Sequence, residues 1–240
     1  VIPAIAIAFD VESVERALEL DRRLGEGPEH AKIGLELFTS AGPDAVRALA
    51  RRGRRVFLDL KLHDIPNTVR GAAAAAARLG ADLLTVHALG GEEMIRAAVE
   101  GVASANASTR VVAVTILTSL DEQRLPPGFA RPLEARRTVT EMLAMALAAG
   151  AAGIVCSARD LADARDSART PFLAVTPGIR PAGPVEDQRR VTTIGEAVRM
   201  GSSLMVIGRP ITGASDPRQA LEAARDERDA AAADLERTRS

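Results

Sequence analysis

The sequence predicts an α/β protein, a closed (β/α)8 barrel in a single domain over residues 1–240. Three observations predict it. Short β-branched or Leu-rich runs recur eight times, stretches of helical period separate them, and 240 residues is the usual length of eight such units. An open doubly wound sheet shares these ingredients. Its main signature is missing, because the first run is followed by FDVES, with no glycine where a dinucleotide-binding turn needs several.

The first strand is AIAIAF (4–9). Its setting, VIPAIAIAFDVESVER, has no basic region ahead of the apolar run and an acid at position 10, so it does not read as a signal peptide. The helix VESVERALELDRRL follows, then a second strand AKIGLEL (31–37) and the helix PDAVRALARRG, stopped by Gly53. The third and fourth strands are RVFLDLK (55–61) and DLLTVHA (82–88), joined by the Ala-rich helix TVRGAAAAAARLG. VVAVTIL (111–117) is the fifth strand and EARRTVTEMLAMALAAG the helix after it. Within that helix begins an uncharged stretch of 17 residues, Met142 to Ala158, close to the length of a membrane span. Seven alanines, two glycines and the helix stop at Gly150 make it a helix followed by a buried strand, AGIVCS (152–157). FLAVTP (172–177) and LMVIG (204–208) complete the eight. The charged segment 226–240 is expected to be a helical extension, solvated or frayed. Two connections, 118–135 and 178–192, are longer than a barrel requires and are candidates for functional loops.

Composition narrows the function. A net charge of -1 gives no field to attract nucleic acid or an anionic membrane, and a chain with no Trp or Tyr and five Phe lacks stacking platforms for bases. No nucleic-acid or membrane partner is expected. The single cysteine, Cys156, forms no internal disulfide and fits a reducing, cytoplasmic setting.

The chemistry concentrates in FLDLKLHDIPNTV (57–69). The chain holds 29 Arg and only two Lys, Lys32 and Lys61, so lysine at these positions needs a reason. On a strand, Asp59 and Lys61 share one face, and in a barrel the C-terminal strand ends carry the active site. An isolated Asp-x-Lys is ordinarily a structural ion pair. Here Asp64 and His63 lie beside it, and Pro66 opens a helix. An ammonium fixed among carboxylates is a candidate general acid, a task for which a guanidinium is poorly suited. Lys32 on the second strand and Asp10 after the first belong to the same reading, although Asp10 serves equally as a cap for the helix that follows. The seventh and eighth strands end in TPGIR and VIGRP, loops where barrels bind phosphate, so Arg180 and Arg209 are candidate phosphate ligands. His30 begins a strand and His87 ends one. Neither belongs to a metal-binding pattern, and no metal is assigned.

These residues resemble the orotidine 5'-phosphate decarboxylase family, the last enzyme of pyrimidine nucleotide synthesis, over nearly the whole chain. The resemblance rests on AFD (8–10), KIGLELF (32–38), FLDLKLHDIPNTV (57–69), VHALGG (86–91), LTS (117–119), TPGIR (176–180), DQ (187–188) and VIGR (206–209). It implies a cytoplasmic enzyme without metal or organic cofactor, converting orotidine 5'-phosphate to uridine 5'-phosphate. It implies a charge network of Lys32, Asp59, Lys61 and Asp64, with Lys61 as proton donor to carbon 6. It also implies a homodimer in which Asp64, Ile65 and Thr68 reach the partner's site. Asp10 and Lys32 would hold the ribose and Thr118 the pyrimidine. Gln188, Arg209 and the backbone near Gly208 would hold the phosphate, with Arg180 close by and Pro177 lining the pocket. Sugar-phosphate enzymes of the same superfamily tend to carry a metal-binding Glu where this chain has Lys32, and they lack Ile-Pro-Asn-Thr.

Overall fold

The computed structural model describes residues 2–27, 30–105, 107–118, 120, 134–181 and 192–239. The strands are β1 (Ala4–Ala8), β2 (His30–Ile33), β3 (Arg55–Leu62), β4 (Leu83–His87), β5 (Arg110–Val114), β6 (Gly153–Val155), β7 (Leu173–Thr176), β8 (Ile179–Arg180), β9 (Thr192–Thr193) and β10 (Leu204–Ile207). The helices are α1 (Val14–Leu24), α2 (Leu35–Ala41), α3 (Pro43–Arg51), α4 (Pro66–Arg78), α5 (Gly91–Ser104), α6 (Ala135–Ala148), α7 (Ala158–Ser167), α8 (Ile194–Arg199), α9 (Arg209–Thr212) and α10 (Pro217–Arg239). Eight strands close into a barrel in the order β1-β10-β7-β6-β5-β4-β3-β2, so the expected (β/α)8 fold is the one observed.

Period-two alternation sorts the strand residues into two cores. Ile5, Ile7, Ile33, Val56, Leu58, Leu84 and Ile154 pack outward against the helices. Ala6, Ala8, Phe57, Leu83, Val112, Val175, Leu204 and Val206 fill the interior, with the alanines of β1 leaving room for the one aromatic ring. The filled lower barrel is what makes the C-terminal end a floor for chemistry.

The second strand departs from expectation. It stops at Ile33, and Leu35–Ala41 is helical, with Gly34 as the N-cap residue. The sixth strand and its neighbour follow the sequence reading: α6 stops at Ala148, Gly150 takes φ 89° and β6 begins at Gly153. No helix among the described residues is long and apolar enough to cross a membrane. The C-terminal segment is also not a solvated tail. It is the second half of α10, helical as expected, and Ala231 and Ala232 in it are buried in the main core. Both long connections lie largely outside the described residues; the ends of the second meet as β8 and β9, a two-stranded parallel pair.

Candidate active site

Three adjacent strands bring the charged residues together. Asp10 lies two residues past β1, Lys32 is on β2, and Asp59 and Lys61 are on β3. Lys61 Nζ donates to both oxygens of Asp59, each at 2.9 Å. Lys32 Nζ lies 3.8 Å from Asp59 Oδ2 and donates to Asp10 Oδ1 at 3.0 Å. The result is an alternating row, Asp10–Lys32–Asp59–Lys61. Lys32 and Asp59 keep only 10% and 14% of their side-chain surface exposed, whereas Lys61 keeps 34% and faces the open mouth. Taking such charges out of water costs several kcal/mol per ion unless each finds an opposite neighbour, and the alternation supplies one to each.

The helix-cap alternative for Asp10 fails. Ser13 caps α1, accepting from Arg16 N–H at 3.3 Å, and the Asp10 carboxylate is turned to Lys32 instead. A residue that carried no assignment in the sequence proves to matter here. A Cβ on Gly34 would lie 2.9 Å from Lys32 Nζ and 3.1 Å from Asp10 Oδ1, so any other residue at 34 would push on the ion pair. The signal available beforehand was a glycine inside an otherwise strand-like run.

The β3 backbone is irregular where the chemistry sits. Its register against β4 runs Leu58↔Leu84 and then Leu62↔Val86, four residues of β3 against two of β4. Within that excursion Lys61 takes φ 49°, the one positive φ at a non-glycine residue among those described. Left-handed backbone at such a residue costs about 1–3 kcal/mol and persists only where the surroundings hold it.

Asp64, Ile65 and Thr68 do not join this row within the chain. Asp64 is exposed and accepts from Ile65 N–H at 2.7 Å, and Ile65 is 66% exposed. His63 stacks on His87, with ring centroids 5.4 Å apart. His87 Nδ1 accepts from Leu89 N–H, and burial, the His63 ring and the Lys61 charge lower its pKa. Thr118 is exposed, past the end of β5. Pro177 follows β7 and is half-buried, Arg180 is in β8, Gly208 precedes α9, and Arg209 is its exposed first residue. Gln188 lies outside the described residues.

A second charge cluster among the described residues is structural. Arg52 and Arg54, in a cleft of about 550 Å³ at the opposite end of the barrel, clasp the fully buried Asp21 at 2.8 and 2.6 Å.

Fold and site together define a (β/α)8-barrel protein with a row of alternating acids and lysines at its C-terminal mouth. Residues 3–224 match the model of the orotidine 5'-phosphate decarboxylase / HUMPS family, and the chain belongs to that family. Among its relatives, the orotidine 5'-phosphate decarboxylase of Cutibacterium acnes is 50% identical over 222 residues, 92% of this chain and 94% of the relative. That of Anaeromyxobacter sp. strain K is 51% identical over 91% of this chain and 95% of the relative. The crystal structure of orotidine 5'-phosphate decarboxylase from Lactobacillus acidophilus superposes with a TM-score of 0.82 at 39% identity, covering 94% of this chain and 98% of that one.

Proposed function

We propose that this chain decarboxylates orotidine 5'-phosphate to uridine 5'-phosphate and carbon dioxide in pyrimidine biosynthesis, without metal or organic cofactor. Membership of the family and the names of its relatives support the reaction. One observation carries the mechanism: a partly open ammonium, Lys61, gripped by both oxygens of Asp59 beside Lys32.

When the bond from carbon 6 to the carboxylate breaks, its electron pair stays on carbon 6, where no adjacent group can take it up. Stabilisation then comes from charge already fixed at that point. Lys61 Nζ supplies it and transfers a proton to carbon 6, leaving a neutral amine that solvent reprotonates. Asp59 stands near the departing carboxylate and disfavours bound substrate relative to the transition state. Asp10 and Lys32 hold the ribose, and Thr118 the pyrimidine. Arg180, Gln188, Arg209 and the backbone at Gly208 hold the phosphate, with Pro177 lining the pocket. Binding energy from that remote phosphate is available to hold the reacting atoms in place.

The working unit in this reading is a homodimer, with Asp64, Ile65 and Thr68 reaching into the partner's site. Support comes from Asp64, which has no ion-pair partner among the described residues, and from the exposed Leu35, Ile65, Leu89 and Leu117. All four follow the C-terminal ends of the neighbouring strands β2 to β5.

The test is carbon dioxide release from orotidine 5'-phosphate by protein stripped with a chelator. Turnover should persist, and Lys61→Ala should lower it by about 10²–10⁴-fold or more. Dependence on added magnesium would redirect the reading to the sugar-phosphate branch of the family.

A further inference from the structure

The excursion in β3 leaves Lys61 and its N–H out of the register with β4. That N–H donates to the side chain of Thr85 instead, at 2.7 Å from Oγ1. The same oxygen lies 3.0 Å from Asp59 Oδ1, to which its own proton is donated. Thr85 is wholly buried on the inward face of β4, so its side of both bonds is shielded from water. A hydroxyl has one proton and two lone pairs, which lets a single oxygen accept from the main chain of one residue and donate to the carboxylate of another.

We propose that Thr85 is a positioning residue for the decarboxylation. Its hydroxyl locks the left-handed backbone of Lys61 to the carboxylate of Asp59, so that the ammonium and the acid keep one fixed separation. This rests on the catalytic reading of Lys61 given above. Among the described residues, Thr85 ties the Lys61 main chain to the Asp59 carboxylate: Asp59 Oδ1 receives hydrogen bonds from Lys61 Nζ and Thr85, and Lys61 N–H donates to Thr85. Valine has the shape of threonine and neither bond. With valine the Lys61 N–H loses this acceptor, and the backbone is free to return toward an ordinary strand conformation, carrying Nζ away from carbon 6.

The experiment compares Thr85→Val, Thr85→Ser and Lys61→Ala in full-length protein, measuring kcat and KM with orotidine 5'-phosphate and cooperative thermal unfolding. Thr85→Val should lose about ten- to a hundredfold in kcat with KM within about threefold, because binding groups are untouched while the reacting atoms are misplaced. Thr85→Ser, which keeps the hydroxyl and drops only the methyl, should stay within about threefold of the parent kcat. The proposal is overturned if Thr85→Val keeps the parent kcat while Lys61→Ala is inactive, or if Thr85→Ser falls as far as Thr85→Val, which would make the methyl packing the cause. An active Lys61→Ala would overturn the catalytic reading of that lysine, and this inference with it. Should the valine variant not fold, Thr85→Cys takes its place: a thiol is a weak donor and acceptor, so kcat should fall below that of the serine variant, and a parent-like kcat would overturn the proposal.

Discussion

His30 shows how one buried side chain links a barrel to pH. It starts β2 on the inward face, two residues below Lys32, is 4% exposed, and neither ring nitrogen has a hydrogen-bond partner among the described residues. Burial pushes its pKa down to about 4; Asp82 opposes that shift, while Arg55 and Arg110 add to it. The folded chain therefore keeps His30 neutral in a range where the unfolded chain, with an ordinary value near 6.5, takes up a proton. Stability contributed by the neutral ring is fully present above pH 6.5, is lost as pH falls from 6.5 toward 4, and changes no further below that. The loss amounts to about 3 kcal/mol across the window. His30→Leu removes the titration and the two unsatisfied nitrogens. Urea unfolding followed by circular dichroism should show it equal to or about 1 kcal/mol above the parent at pH 8, with the decline between pH 6.5 and 4 correspondingly reduced. An unchanged decline would mean that groups other than His30 set the acid limit. The charged row at the mouth was legible at this scale, because lysine stood out among arginines and the spacing put Asp59 and Lys61 on one face. Thr85 and Gly34 were not. A threonine in a buried strand is ordinary, and its role arises from a register excursion in the neighbouring strand that no local pattern encodes.

Elements were legible wherever period and stop signals agreed. All eight barrel strands lie inside their sequence spans or within one residue of them, as with β5 at Arg110–Val114 against 111–117, and seven of the spans hold no α-helix. The exception, 31–37, has Ile33, Leu35 and Leu37 alternating like a strand, while α2 is only 7 residues long, too short for a helical stripe to declare itself. The C-terminal helix misleads for the opposite reason. Its second half is rich in charge, yet the alanines between the charges face α8: a Cβ on Gly195 would lie 3.8 Å from Ala231 Cβ, and Glu227 accepts from Gly195 N–H at 3.3 Å. Small side chains allow that close approach, and their contribution is easy to overlook beside so much polarity. Deleting residues 226–240 should therefore destabilise the barrel by at least about 2 kcal/mol, from two buried methyls and the exposed face of α8. In calorimetry this corresponds to a fall in Tm of about 4–8 °C, with activity per folded molecule unchanged at low temperature. A Tm equal to that of the intact chain would restore the picture of a solvated tail.

At the scale of the molecule, the barrel turns residues separated by about fifty positions into a row of neighbours, because β1, β2 and β3 are adjacent and each ends at the same mouth. The row then stops short. Asp64 continues the alternation in sequence but points to solvent, held by the turn at Ile65, and exposed leucines and Ile65 lie on the same side. A two-fold pair of chains with these faces together would cover the apolar side chains and set each Asp64 beside the other chain's Lys61. That arrangement has an arithmetic consequence. Lys61→Ala and Asp64→Ala should each be nearly inactive alone, since every site in either dimer carries one lesion. In a mixed dimer one site carries both lesions and the other carries none. Random exchange makes about half of the dimers mixed, each with one intact site of two, so equimolar mixing should recover about a quarter of parental activity. Native mass spectrometry of the same sample establishes whether mixed dimers have formed. Mixed dimers with no recovered turnover would place Asp64 in the site of its own chain, and the exposed turn at Ile65 would then have to move by the length of a side chain when substrate binds.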